Sequence, residues 1–142
     1  MFKKILWAAD GSEHADRALE FARSLVSDNG GELLAVHSVE VLAGPGSHGA
    51  VPELPDEDER EAKIAKQVAD LRQQGVNAQM KIVHGGVTGA AHTLAKVAQE
   101  EGTDLIVVGT RGHTPLAGLL VGSVTQRLLH IAPCPVLVVP PA

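Results

Sequence analysis

The chain has 142 residues, with 12 Lys and Arg against 17 Asp and Glu, giving a formal net charge of −5. This length fits one domain over 1–142 that buries about 70% of its unfolded surface, and 44% apolar with 20% charged residues is the balance of a folded chain, not a disordered one. The acidic balance, and aromatic residues limited to Phe2, Trp7 and Phe21, exclude nucleic acid and anionic membrane surfaces as main partners, because these reward a basic face and, for single strands, stacking platforms.

Five short runs rich in apolar and β-branched residues predict strands at residues 4–9, 32–39, 78–83, 104–109 and 135–139. The last two are apolar at successive positions, as in strands covered on both faces. Helical stripes lie between them. Ala15, Ala18, Leu19, Ala22, Leu25 and Val26 repeat at helical spacing after a Ser12 cap and stop at Gly30-Gly31. Ile64, Ala65, Val68 and Leu71 run toward Gly75, and Ala91, Leu94, Ala95 and Ala98 toward Gly102. Leu120, Val124, Leu128 and Ile131 form the last stripe, stopped by Pro133. The order βαβαβαβαβ predicts an α/β fold in which right-handed crossovers put helices on both faces of a parallel sheet.

Residues 42–56, LAGPGSHGAVPELPD, break this rhythm and are expected to form a flexible loop or a cover. Their Gly44-x-Gly46-x-x-Gly49 spells a dinucleotide fingerprint, but Val51-Pro52-Glu53 follows where that motif must open a helix. Cys134 stands alone between two prolines, so no intramolecular disulfide forms and the thiol reads as a small buried hydrophobe. The opening MFKKILWAAD is too short in apolar residues for a secretory core, and no stretch reaches a membrane span of about 20 apolar residues. A reducing cytoplasm is the expected compartment.

Two loops carry the chemistry. Ala8-Ala9-Asp10-Gly11-Ser12 follows the first strand, and GTRGHTPLAGLLVGS, residues 109–123, follows the fourth. Gly109-x-x-Gly112, nine residues, then Gly122-Ser123 is not a Walker A loop, since no Gly-Lys-Ser/Thr occurs. It has the parts of an anion cradle nonetheless: glycines for close backbone approach, and Gly122, Ser123, Val124 and Thr125 at the start of a helix with free N–H groups and hydroxyls. The competing reading is glycines for turns and close packing. Asp10 has three readings: a helix cap, an acceptor for a ribose hydroxyl, or a ligand for Mg2+ bound to phosphates. The seven histidines show no metal spacing. His37 and His84 read as sheet residues, while His113 and Arg111 sit in the glycine loop where a phosphate would pass. No Ser–His–Asp set or carboxylate pair assembles.

On these residues the chain resembles the universal stress protein family over essentially all its length, from KKILWAADGSEHADRAL through ELLAVHSV to EEGTDLIVVGTRGHTPLAGLLVGSVTQRLLHIAPCPVLVV. The family's nucleotide motif, G-x-x-G, nine residues, G-[ST], is met in full by Gly109, Gly112, Gly122 and Ser123, as in its ATP-binding branch. The resemblance implies a five-stranded parallel sheet of order 3-2-1-4-5, of the Rossmann-like adenine nucleotide alpha hydrolase type. It also implies ATP as the bound nucleotide, to which the Mg2+ reading of Asp10 adds the metal, with Ala8, Ala9 and Asp10 against adenosine and Ser38 meeting the adenine through its backbone. Gly109, Arg111 and Gly112 would lie by the ribose and phosphates, with Gly122, Ser123, Val124 and Thr125 binding the phosphates, while His113 stays a candidate ligand contact on its place in the loop. A homodimer paired through the last strand, CPVLVVPP, is implied as well. The chain departs from many relatives at Gly85-Gly86-Val87-Thr88-Gly89, where they carry an acidic residue and proline.

The expected role is a dimeric, ATP-dependent stress-response or signalling module acting on a protein partner, with at most weak hydrolysis. Its alternatives are a slow ATPase using Asp10 and His113, and a nucleotide-free dimeric interaction protein. A phospho-acceptor receiver is excluded, because Val83-His84 stand where its aspartate would end the third strand.

Overall fold

A computed structural model describes residues 2–40, 56–85, 89–110 and 121–141. Nine elements alternate along the chain: β1 (Lys4–Ala8), α1 (Glu13–Asn29), β2 (Glu32–Glu40), α2 (Glu57–Gln73), β3 (Asn77–Gly85), α3 (Ala90–Glu101), β4 (Leu105–Gly109), α4 (Ser123–Ile131) and β5 (Val136–Val139). The strands form one sheet of order β3-β2-β1-β4-β5, every neighbouring pair parallel. This is the architecture expected. The segment 42–56 lies outside the described residues except for Asp56, which precedes α2.

Side-chain alternation divides the core into two layers. Ile5, Trp7, Leu33, Ala35, Leu105 and Val107 face one side and pack with Ala18, Ala22 and Val26 of α1 and Ile64 and Val68 of α2. Leu6, Leu34, Val36, Ile106 and Val108 face the other and pack with Leu94, Val97 and Ala98 of α3 and Leu128 of α4. The central strands are therefore buried on both faces, which is why β4 reads as an unbroken apolar run. Trp7 is fully buried, and its indole N–H donates to the Ala15 carbonyl at 2.9 Å, so its polar edge is satisfied inside the core.

The helix boundaries follow local chemistry. Ser12 caps α1 by accepting from the Ala15 N–H at 3.1 Å. Gly30 and Gly102 end α1 and α3 at φ +66, a left-handed conformation in which a side chain is strained. Ala132 closes α4 in an extended conformation (φ −63, ψ 137), as the residue before Pro133 must. Cys134 is half-buried rather than fully enclosed, and burial pushes its thiol up, ahead of smaller influences from Thr103 and Asp104. The thiolate is disfavoured there, in keeping with a packing residue.

Candidate functional site

β1 and β4 are neighbours, paired from Ile5–Leu105 to Trp7–Val107, so the two specialised loops leave the sheet side by side at its carboxyl end. In an open parallel sheet with this order the crevice lies at that point, because the crossovers on either side run in opposite directions.

The first loop is held from three directions. Ala8 is half-buried and packs toward α3 and α4, whereas Ala9 is buried on the α1 and α2 side. The Ala9 N–H donates to the Val36 carbonyl at 2.9 Å, extending the β1–β2 ladder by one residue. The Asp10 carboxylate accepts from the Ser12 N–H at 2.8 Å and from the Ser12 hydroxyl at 2.5 Å. The Ser12 oxygen can then turn its lone pair to Ala15, so Asp10 orients the cap of α1. Gly11 takes φ +80 to make the turn, and a Cβ there would approach Arg60 Cγ at 3.2 Å. Lys63 of α2 donates to the Gly11 carbonyl at 2.8 Å and pairs with Asp16 at 2.7 Å, tying the loop to a second helix.

At the second loop, Gly109 answers the packing question by itself. A Cβ at Gly109 would lie 2.6 Å from the His14 carbonyl oxygen and 2.8 Å from its carbon, distances that no side chain tolerates against backbone. The first turn of α1 can reach the end of β4 only over a glycine. Two hydrogen bonds then pin the excursion at both ends: Gly122 N–H donates to Thr110 O at 2.5 Å, and the buried Thr125 hydroxyl donates to Gly109 O at 2.9 Å. The Thr125 proton is thus committed inside the protein, so among the hydroxyls proposed for phosphate only exposed Ser123 points outward. Val124 is half-buried against the α3–α4 layer. Gly122 precedes α4 with extended backbone (φ −67, ψ 162) and brings no side chain to cap the first-turn N–H groups, which a helix leaves without intrahelical partners. Arg111, Gly112 and His113 lie outside the described residues.

Two buried hydroxyls near the strand ends have no hydrogen-bond partner: Ser38 Oγ on β2 and Thr110 Oγ1 after β4. Ser38 sits beside Gly85, where an added Cβ would meet Thr93 Oγ1 at 2.6 Å and Ser38 Oγ at 3.3 Å. Gly85 thus lets the Thr93 side chain of α3 approach the end of β3 closely. Gly89, at φ +87, is the residue before that helix and supplies no side-chain cap.

Sequence reasoning missed the inner support of this site. His37 of β2 and Glu57 of α2 are each 2% exposed and bonded to one another. His37 Nδ1 also lies 2.9 Å from the Ala9 carbonyl oxygen. The only sequence signal was an acidic residue opening a helix, indistinguishable from Asp58 and Glu59 beside it, which are exposed.

With this geometry in hand, the chain can be compared with known proteins. A sequence model described as the Universal stress protein family matches residues 1–140. The chain belongs to the universal stress protein family. A universal stress protein from Thermus aquaticus is 37% identical over 143 residues, covering 98% of this chain and 99% of its own. A universal stress protein in complex with cAMP superposes with a TM-score of 0.74 over 99% of both chains at 22% identity. The Archaeoglobus fulgidus universal stress protein in complex with dAMP gives 0.67 over 98% of both chains at 24% identity. At such identities the structural likeness establishes the shared fold of these universal stress proteins. Among the described residues, no helix is long and apolar enough to cross a membrane.

Proposed function

We propose that this universal stress protein binds ATP with Mg2+ in the crevice between β1 and β4, and acts as a cytoplasmic homodimer whose nucleotide state is read by a protein partner. One observation carries the reading. The uncapped start of α4 stands directly after a pinned glycine-bearing loop, on the strand adjacent to the one that delivers Asp10. Open N–H groups and a positive helix end favour a polyphosphate there. The two unpartnered hydroxyls, Ser38 and Thr110, offer further donors near the same strand ends, and complexes of structurally similar family members with cAMP and dAMP fit an adenine nucleotide.

The residues suit Mg2+ in the usual manner for this ion, which keeps several waters and takes most of its ligands from phosphates. Asp10 is the protein carboxylate placed to meet it. Its bonds to Ser12 argue for an orienting role and against use as a general base, so turnover is at most slow. Arg111, Gly112 and His113 enter this proposal on the motif alone.

Calorimetric titration with ATP, with and without Mg2+, tests the reading. One ATP per chain at micromolar affinity is expected, equivalent to about −8 kcal/mol. Gly122→Val should weaken binding by at least tenfold in a protein of unchanged circular dichroism, because φ −67 and ψ 162 suit any residue while the added side chain crowds the start of the helix. Unchanged affinity in that folded variant overturns the cradle. No heat from protein that also releases no adenine nucleotide on denaturation overturns ATP binding altogether.

A further inference from the structure

Beneath the first crevice loop, on the α2 side of the sheet, one ligand atom each of His37, Glu57 and Glu61 lies within 4.8 Å of the other two. His37 and Glu57 are almost wholly buried, and Glu61 is half-buried one helical turn beyond Glu57, on the same face of α2. The protonation of this group is constrained by the backbone. His37 Nδ1 lies 2.9 Å from the Ala9 carbonyl oxygen, which can only accept, so Nδ1 carries the hydrogen. Nε2 is then the ring atom that faces the Glu57 carboxylate, and the buried pair is held by a shared cation, which is a proton on the ring or a metal ion.

Two carboxylates converge on the ring, and a divalent ion held by the neutral imidazole would neutralise both in place of the ring proton. The Nδ1–H to carbonyl bond is also the outer-shell contact that fixes the tautomer and ring orientation of metal-bound histidine. We propose that His37 Nε2, Glu57 Oε1 and Glu61 bind one divalent transition-metal ion of the Zn2+ class, through a mixed imidazole and carboxylate donor set. Arg60 is the opposing charge. Its guanidinium stands 3.9 Å from Glu57 Oε2, on the carboxylate oxygen not used by the ion, and is itself engaged by Asp56 at 3.0 Å. A metal here would clamp the first turn of α2 to β2 and, through Ala9, to the end of β1. The site stands on these contacts alone and does not depend on ATP binding.

Full-length protein stripped with a chelator and titrated with Zn2+ alone tests this, followed by calorimetry and by the imidazole 15N resonances. One Zn2+ per chain is expected, with the His37 Nε2 resonance moving on addition. Glu61→Gln, at a partly exposed position that should leave the fold intact, is expected to weaken binding by at least about tenfold. His92→Ala, a control on α3, is expected to leave it unchanged. The site is overturned by the absence of saturable binding, by an unmoved His37 resonance, by full affinity in folded Glu61→Gln, or by a loss that follows His92 instead.

Discussion

At the scale of single residues, glycine and aspartate each turned out to have a structural task where a ligand contact had been the attraction. Gly109 belongs to the nucleotide motif, yet its lack of a side chain is already demanded by the His14 carbonyl 2.6 Å from where a Cβ would sit. Gly109→Ala must push α1 away from β4 and should destabilise the protein by about 1–3 kcal/mol. Urea unfolding checks this: the midpoint should fall with an unchanged slope, and a midpoint equal to wild type would mean that α1 shifts without cost. Asp10 invites a parallel comparison. Ser12→Ala removes the cap of α1 and the hydroxyl donor to Asp10 together, keeping the backbone N–H donor, and should cost about 1 kcal/mol. Asp10→Asn keeps an acceptor oxygen for Ser12 and should be nearly neutral in the same unfolding assay. If the two variants lose equally, the charge of Asp10, not its geometry, supports the cap. The chain alone offered these structural tasks only as competing readings. A motif spacing names the glycines and the aspartate, but which backbone approaches them depends on the packing of α1 against β4, a contact spanning about a hundred residues.

At the scale of elements, the sequence was most informative where one local force dominated. Strands β1, β2 and β4 coincide with their predicted runs to within a residue, because burial on both faces makes their central positions a continuous apolar run. The stops at Gly30 and Gly102 were readable because left-handed backbone selects glycine. β3 was the least well bounded: it extends over Asn77–Gly85, beyond the predicted 78–83 at both ends. The cause is its place at the sheet edge, where Asn77, Gln79, Ile82 and His84 are exposed and the apolar signal fades. α2 begins at Glu57, seven residues before its first apolar stripe residue, Ile64. Its first two turns are polar and anchored instead by Glu57 on His37 and Lys63 on the Gly11 loop. Those anchors place the candidate metal ligands, and a hydrophobic period has no means of finding them.

At the scale of the whole molecule, the open question is the β5 edge. β4 covers one side of β5, while among the described residues the other side carries no strand, and Val136, Leu137 and Val138 remain only half-buried. An apolar edge of this kind is a template for pairing with another chain. The direction of its free groups follows from the ladder. Ile106 N–H donates to the Pro135 carbonyl and Thr110 N–H to the Val139 carbonyl, so alternation turns the main-chain groups of Leu137 toward β4 as well. The amides of Val136 and Val138 point outward, where a second copy would bond. Val138→Pro removes one outward N–H without breaking the bonds to β4, a position that proline tolerates at a sheet edge. Light scattering of the wild-type protein should give the mass of a dimer, and Val138→Pro should give a monomer with unchanged circular dichroism. A wild-type monomer at working concentrations would exclude the homodimer. A variant that stays dimeric would move the interface away from β5, to a surface such as the exposed Phe21 of α1 or Leu129 of α4.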